Sequence, residues 1–457
     1  MKIALIGQDI PMLLPTLLTD LLFAGREGNA RVAAEEKNPA MAEVLQGYGD
    51  AVFRKAGIGG SLKVSADREE TLREADCVIY AGDPQAASRF FMDQSALESG
   101  EEPEEREGKP EPATEIEDLV HAESLGLTDQ ARVNGGLEGL MHTLRAGQAV
   151  LELCDGMDRV CPGAIVINLG QPVARTTRIF LDRGYRCFGI GRTPLKGANG
   201  LDTLTKRLQG KPENMEAVIA GLPGFAFLLA LRDRESRMDY LPRLKKAARG
   251  GELGQLTKRW LDWWDALPVG DVTDHAEFLP AQPDFIPEEK PEFGETVERR
   301  KERILYMNTV RQQGAEAGEG AMAQLLLLSK APPVRPMSLA LGLLRRESGS
   351  WPAVARRNGG EMPQLSPEAV VETSLRLENG EEKPQGIQLP PALAEVMEEI
   401  DETNRLAARA ARGDREALRE CIETDPALGG LDRLYCQEVA AALIRMHQDM
   451  LPLWREE

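Results

Sequence analysis

Short apolar runs alternate with amphipathic helical segments over about the first 170 residues. The apolar runs are continuous, as expected of strands that are buried on both faces of a parallel sheet. They lie at 2–6, 30–34, 77–80 and 164–167. The segments with helical spacing lie at 13–23, 41–56, 67–76 and 140–159. Repeated strand–helix units of this length predict an α/β fold with a Rossmann-like, doubly wound parallel sheet.

Length and composition narrow the class of protein. The chain has 457 residues, more than one ordinary hydrophobic core accommodates, so two domains are expected. Its hydrophobic content of 42% and charged content of 28% are typical of a globular protein in solution. No apolar run is long enough to cross a membrane, and the first residues fit a strand better than a secretory signal. The six cysteines form no CxxC pair, which favours a reducing, cytoplasmic location.

The net charge of −19 argues against a nucleic-acid partner, because phosphate binding needs a basic surface. Part of this negative charge lies between Glu98 and Asp118, where ten acidic and two basic residues occur together with three prolines. Such a segment buries too little apolar surface to offset its chain entropy. We therefore predict a flexible acidic insertion at about 95–118, with a segment that docks a partner as the alternative.

Three motifs follow one another between residues 136 and 194. Gly136-Leu-Glu-Gly139 leads to Arg145, then come Asn168-Leu-Gly-Gln171-Pro172-Val-Ala and Cys187-Phe-Gly-Ile-Gly191-Arg192-Thr-Pro194. Their order and spacing resemble glycoside hydrolase family 4, the NAD- and metal-dependent glycosidases. Weaker fragments continue the resemblance in the same order as far as the helix predicted at 393–412.

The resemblance implies a domain organisation. A Rossmann-like domain of NAD-binding type would span 1–195, and a C-terminal α+β domain would span 196–457. The second domain would open with a strand and a helix over 217–232, and would close over the carboxyl ends of the parallel strands, where such sheets place their ligand crevice. We also expect a homodimer or a higher homo-oligomer, and no membrane partner.

In the resembled family, NAD oxidises a sugar hydroxyl, a divalent metal such as Mn²⁺ stabilises the enediolate, and the glycosidic oxygen leaves by elimination. The resemblance implies a pocket for a sugar or a sugar phosphate. Its lining would be Arg145, Asn168, Gln171, Arg192, Asp271 and His275. Asp271 and His275 belong to the segment 267–280, which is similar to a pocket-lining motif of the family but reaches its histidine one residue late.

The nucleotide-binding positions are partly replaced. In the first strand-to-helix turn, Gly7-Gln8-Asp9, only the first glycine of the family pattern remains. Asp9 places a carboxylate where the NAD phosphates would lie, and like charges repel. Glu35 could accept the ribose hydroxyls with a one-residue shift. A Rossmann scaffold that binds no NAD is the alternative.

The two metal-ligand positions of the family are occupied by Gly191 and Gly224, which offer no ligand. We therefore expect no metal, and no bound cofactor in the ordinary sense. Arg192 is expected to take the vacated metal position and to pair with Asp271 or Asp274, because a buried guanidinium without a partner is costly.

The family's catalytic tyrosine has no counterpart, since no tyrosine occurs between Tyr240 and Tyr306. Asp262 and Asp265 are the nearest acidic candidates for a catalytic base, and a solvated helix face is the other interpretation of both. Two functions therefore compete. One is a degenerate, non-catalytic relative that keeps the fold and a carbohydrate-type pocket, and the other is an active NAD- and metal-dependent glycosidase with substituted catalytic residues.

Overall fold

The computed structural model describes residues 1–24, 30–57, 59–82, 133–191, 193–195, 197–211, 214–280, 335–448 and 450–455. The strands are β1 Lys2–Ile6, β2 Ala30–Glu35, β3 Gly60–Ser65, β4 Cys77–Tyr80, β5 Ile165–Asn168, β6 Cys187–Gly189, β7 Met215–Leu222, β8 Phe225–Asp233, β9 Leu267–Pro268, β10 Gly349–Arg357, β11 Val370–Glu378 and β12 Glu381–Glu382. The α-helices are α1 Ile10–Ala24, α2 Pro39–Ala56, α3 Arg68–Leu72, α4 Gly136–Val160, α5 Val173–Asp182, α6 Leu201–Arg207, α7 Leu241–Arg249, α8 Gln255–Trp264, α9 Val272–Ala276, α10 Pro336–Arg345, α11 Pro391–Ala410, α12 Arg415–Thr424 and α13 Arg433–Met446.

In the described part of the chain, one twelve-stranded sheet runs through the molecule. Its order is β3-β2-β1-β4-β5-β6-β10-β11-β7-β8-β9, with β12 paired to β11. The strands from β1 to β6 pair in parallel, whereas β10, β11, β7, β8 and β9 pair antiparallel. The α/β fold is confirmed, and so is the parallel arrangement of the strands predicted at 2–6, 77–80 and 164–167. The antiparallel pairing of β6 with β10 carries the sheet past residue 195, where we expected the domain boundary.

Helices cover both faces of the parallel half, which explains why its strands are apolar throughout. Side chains from α1, α2 and α10 pack on one face with Ile3 and Leu5 of β1. Side chains from α4, α5, α11, α12 and α13 pack on the other face with Ala4 and Ile6. The C-terminal helices therefore belong to the core of the N-terminal sheet. The edge strand β3 was not predicted, because Leu62 is its one fully buried side chain.

The segment 217–232 differs from expectation. We predicted a strand followed by a helix, and the structure has two antiparallel strands, β7 and β8, joined at Pro223 and Gly224. Gly224 has a φ of 85°, which suits the third position of a type II turn after proline. Nearly all side chains of β8 are buried, so its sequence lacks the alternation that distinguishes a strand from a buried helix.

Two predictions lie outside the described residues, namely the acidic insertion between Glu98 and Asp118 and the placement of Arg192. Among the helices described, none combines the length and apolar character that a membrane span requires.

Candidate functional site

Strand pairing places Asn168, one of the predicted pocket residues, in a row of paired residues that crosses the sheet. Tyr80 pairs with Asn168, Asn168 with Gly189, and Gly189 with Ala355. The row continues through pairings of Ala355 with Glu372, Glu372 with Gly221 and Gly221 with Ala226. It follows the carboxyl ends of β4, β5 and β6, where open α/β sheets bind their ligands. The candidate site is therefore built along this row.

The Gly7 turn is shaped by close packing against β4. Gly7 has a φ of 129°, and a Cβ atom built on it would lie 2.2 Å from the Ala81 carbonyl oxygen. The Asp9 N–H donates to the same Ala81 oxygen at 3.1 Å, and the Ile10 N–H donates to the Gly7 oxygen at 3.2 Å. Gln8 is exposed at the tip of the turn. Two backbone N–H groups of the kind that bind a pyrophosphate thus already donate to backbone oxygens, one in the turn and one at Ala81 after β4.

Glu35 is the last residue of β2, as expected of an acidic residue that faces a nucleotide ribose. Its side chain is 6% exposed, and the Arg68 Nε donates to both carboxylate oxygens at 3.1 Å. Arg68 is the first residue of α3, so the ion pair joins two elements that meet at the sheet's edge. A ribose would have to compete with a guanidinium for this carboxylate. The sequence did not single out Arg68.

Asn168 supports the loop after β5. Its Nδ2 donates to the Oγ1 atoms of Thr176 and Thr177, each at 2.9 Å, and its Oδ1 accepts from the Gly170 N–H at 2.9 Å. Gln171 is half-buried in the same loop and precedes Pro172 through a cis peptide bond. The Asn168 amide therefore holds the loop in shape, and Gln171 is the predicted pocket residue of this loop with part of its surface accessible.

Arg145 is buried on α4, on the same helix face as Glu138 and His142. A second buried arginine, Arg175 of α5, was missed because nothing in its sequence context marks it. Its Nε donates to the Asn404 Oδ1 at 2.8 Å, and burial lowers its pKa. Two cations thus lie inside the helical layer on one face of the sheet.

In the segment 267–280, Asp271 caps a helix and His275 lies in the hydrophobic core. Asp271 caps α9, and its Oδ1 accepts from the N–H and the Oγ1 of Thr273 at 3.1 and 2.9 Å. His275 is fully buried, with Nδ1 3.0 Å from the Asp271 carbonyl oxygen and Nε2 2.8 Å from that of Ala226. Burial lowers its pKa. Its ring packs in an aromatic core made by Phe225, Phe227, Trp260 and Phe278, and its place on a pocket wall stays a prediction.

The two vacated metal-ligand positions differ in the space around them. A Cβ built on Gly191 has the Glu372 Oε1, at 3.5 Å, as its one neighbour within 4 Å among the described residues. A Cβ built on Gly224 would lie 3.1 Å from the Phe278 ring, on a backbone with a φ of 85°. In the described residues, no three His, Cys, Asp or Glu side chains are grouped so as to hold a metal. Gly191 and Gly224 themselves supply no metal-ligating side chain.

Glu372 of β11 has the most unusual environment in the row. It is fully buried, neither carboxylate oxygen has a hydrogen-bond partner among the described residues, and burial raises its pKa to about 8. Glu277 is also buried, but its Oε2 accepts from the N–H groups of Val133 and Asn134 at 3.0 and 2.9 Å. Burial first, and the charge of Asp274 second, raise the pKa of Glu277 to about 8. The sequence signal for Glu372 is one acidic residue directly after a buried apolar run at 369–371.

Asp262 and Asp265 lie on the molecular surface. Asp262 is exposed on α8, and Asp265 ends that helix with a side chain that is 70% exposed. Asp265 pairs with Lys245 at 3.1 Å and with Arg249 at 2.9 Å. Their exposure is what the interpretation as a solvated helix face expects, and a role as catalytic base stays a prediction.

No protein-family model matches the chain. Solved structures match it over nearly its full length. A 6-phospho-alpha-glucosidase from gut microorganisms, in complex with NAD and Mn²⁺, is 15% identical with a TM-score of 0.73 and 98% coverage of each chain. The 6-phospho-beta glucosidase of Thermotoga maritima, with NAD and glucose-6-phosphate, is 15% identical with a TM-score of 0.70, covering 98% of this chain and 99% of that one. The Bacillus subtilis protein lplD is 18% identical with a TM-score of 0.73, covering 97% and 99%. The chain therefore has the fold of these proteins.

Proposed function

We propose that this chain is a glycoside hydrolase family 4-like protein that keeps a carbohydrate-type pocket and does not perform the family's NAD- and metal-dependent chemistry. The observation that carries the proposal is the pair of glycines at the metal-ligand positions. Gly191 offers no donor atom, and Gly224 has a positive φ with the Phe278 ring where a side chain would project. A single substitution at Gly191 would supply one ligand at most, which is too few for a stable divalent site.

The nucleotide end of the site supports the same proposal. The Asp9 N–H donates to the Ala81 carbonyl oxygen, the Ile10 N–H donates to the Gly7 oxygen, and the Glu35 carboxylate is bound by Arg68. NAD binding would have to replace the Arg68 contact and place its phosphates beside Asp9. Both changes cost free energy that an ordinary Rossmann turn does not lose.

A sugar or a sugar phosphate is the ligand class that we propose for the pocket. The support is the fold shared with 6-phospho-glucosidases, one of which is described with glucose-6-phosphate. Arg145, Gln171 and Arg192 are the proposed pocket residues that could contribute cationic or amide groups to such a ligand. A homo-oligomer in the cytoplasm remains part of the proposal.

The second candidate is an active glycosidase that uses NAD and a metal with substituted residues. It is favoured by Gly7 and Glu35, which lie where a Rossmann fold needs a glycine and a ribose-binding carboxylate. The two candidates differ in turnover, since the second requires NAD and Mn²⁺ for activity.

Release of 4-nitrophenol from its α- and β-glucoside 6-phosphates, measured with and without NAD and Mn²⁺, separates the candidates. We expect no turnover above a boiled-protein control in either condition, together with saturable binding of glucose 6-phosphate by calorimetry. Turnover that depends on NAD and Mn²⁺ would establish the second candidate. Absence of both turnover and sugar-phosphate binding would contradict the proposed pocket.

A further inference from the structure

Glu372 lies next to Gly191 at the centre of the row. Among the described residues, its Oε1 is the one atom within 4 Å of a Cβ built on Gly191, at 3.5 Å. The residues that face Glu372 from the neighbouring strands, Ala355 of β10 and Gly221 of β7, are uncharged. In the described part of the chain, the carboxyl group thus borders the position of a side chain at 191 and contacts no charge.

The unpaired state of this carboxyl group points to a ligand. A buried polar group without a hydrogen-bond partner loses its hydration and gains nothing in return, and folded proteins contain few of them. Glu277 is also buried, but one of its carboxylate oxygens accepts three hydrogen bonds from Val133 and Asn134, as is usual for a buried carboxylate. Glu372 has no such donors. A group that lacks partners inside the protein is suited to accept them from a bound molecule.

The chemistry of a buried carboxyl group limits the kind of ligand. Burial keeps Glu372 protonated at neutral pH, so that it offers one O–H donor and one carbonyl acceptor. A sugar hydroxyl is both a donor and an acceptor and can use both. A phosphate group fits poorly, because ionisation of the acid would bring two negative charges together. The position beside Gly191 therefore suits the hydroxyl-bearing part of a sugar.

We propose that the Glu372 carboxyl group recognises a sugar hydroxyl beside Gly191. This inference rests on the proposed carbohydrate pocket. The neutral carboxyl group of Glu372 would recognise the sugar hydroxyls, and the phosphate of a sugar phosphate would be bound elsewhere in the pocket.

Calorimetric titration of the full-length protein with glucose 6-phosphate tests the proposal. Glu372→Leu removes both hydrogen bonds and should weaken binding about tenfold or more. Glu372→Gln keeps a donor and an acceptor and should stay within about threefold of the wild type. Gly191→Val adds a side chain beside Glu372 while leaving Glu372 in place and should also abolish most of the binding. Glu398→Gln, which changes an exposed glutamate of α11, is the matched control and should bind like the wild type.

A pH profile separates recognition from a structural role. Wild-type affinity should fall between about pH 7 and about pH 9.5, as Glu372 loses its proton, while Glu372→Gln should be unaffected. The ligand's phosphate keeps one charge state in this range, since its second pKa is about 6. Circular dichroism of each variant establishes that it is folded.

The outcomes distinguish this inference from the function on which it rests. If the wild type binds glucose 6-phosphate and folded Glu372→Leu and Gly191→Val bind equally well, the Glu372 inference is overturned and the carbohydrate pocket stands. If no protein binds the sugar phosphate or glucose at any pH, both are overturned. Loss of binding in Glu372→Leu and Gly191→Val, with retention in Glu372→Gln, supports both.

Discussion

The two ends of the candidate site differ in the contacts that their residues make. At the nucleotide end, Gly7 and Glu35 are present, but packing against Ala81 and pairing with Arg68 already use them. At the end where we propose that a metal site has been lost, Gly191 and Gly224 have no side chain, and Glu372 has no hydrogen-bond partner among the described residues. The residues of the nucleotide end are thus held by contacts within the protein, whereas Glu372 at the other end has no such contact in the described part of the chain.

The comparison shows that a residue that matches a family pattern is informative about function only where packing does not already require it. Gly7 is required by its φ of 129° and by the approach of the Ala81 carbonyl, whether or not a nucleotide binds. Its retention therefore says little about NAD. Gly191 meets no such steric demand from the described residues, so their packing does not require a glycine there. A glycine that packing already requires therefore gives no evidence for ligand binding.

The largest expected effect is a difference in the free energy of unfolding between Gly7→Ala and Gly191→Ala. Gly7→Ala should lower the free energy of unfolding by about 3 kcal/mol, because the new Cβ would overlap the Ala81 carbonyl on a strained backbone. Gly191→Ala should change it by less than about 1 kcal/mol, since its nearest described neighbour is in ordinary van der Waals contact. Urea unfolding of both variants measures this. Equal losses would show that the two glycines have the same structural role.

The next largest effect is the contribution of Glu372 to the pH dependence of the free energy of unfolding. Its pKa is raised from 4.5 to about 8, so the native state keeps a proton that the unfolded state releases, and stability falls as pH rises through that window. Between about pH 5 and about pH 7 the wild type should lose about 2 kcal/mol more than Glu372→Gln. Glu277 and His275 titrate in both proteins, so the difference isolates Glu372. Parallel stability curves would mean that Glu372 has a partner or is hydrated.

A smaller effect is expected at the nucleotide end. Arg68→Met leaves the buried Glu35 carboxylate without its cation and should cost about 1–2 kcal/mol in urea unfolding. Arg73→Met, at an exposed residue on the same segment, is the control and should be close to neutral. NAD titration of Arg68→Met should still give no binding. If the substitution creates NAD binding, Arg68 is what blocks the nucleotide, and the turn at Gly7 remains competent.

The smallest effect concerns the surface aspartates. Asp262→Asn should leave both the free energy of unfolding and sugar-phosphate binding unchanged, within about 0.5 kcal/mol, because the side chain is exposed on α8. Any loss of binding or of turnover beyond that range would return Asp262 to the list of catalytic candidates.

The sequence predicted the parts of the fold that continuous burial dictates. The strands at Lys2–Ile6 and Cys77–Tyr80 were predicted residue for residue, since helices on both sides require apolar residues throughout. The hairpin of β7 and β8 was mistaken for a strand and a helix for the same reason, because burial on both faces erased the alternation. Strand β3 was missed because an edge strand with one buried side chain carries almost no hydrophobic signal.

The site was less predictable because long-range contacts decide what its side chains do. Glu35 was placed correctly at the end of β2, but its partner Arg68 is 33 residues away in the sequence. His275 occurs in a motif that resembles a pocket, and its burial is decided by Phe225 and Trp260 from other elements. The unpaired state of Glu372 depends on uncharged neighbours from two other strands, which no local pattern reveals.

Calorimetric titration of the purified protein with NAD, in the presence of Mn²⁺ and glucose 6-phosphate, tests most directly whether the family's cofactor chemistry has been lost. We expect no saturable heat from NAD or Mn²⁺, because the Gly7 turn and Glu35 are occupied and the positions at Gly191 and Gly224 offer no ligand. A dissociation constant for NAD in the low micromolar range, about −8 kcal/mol of binding free energy, would contradict this and would support an active NAD-dependent glycosidase.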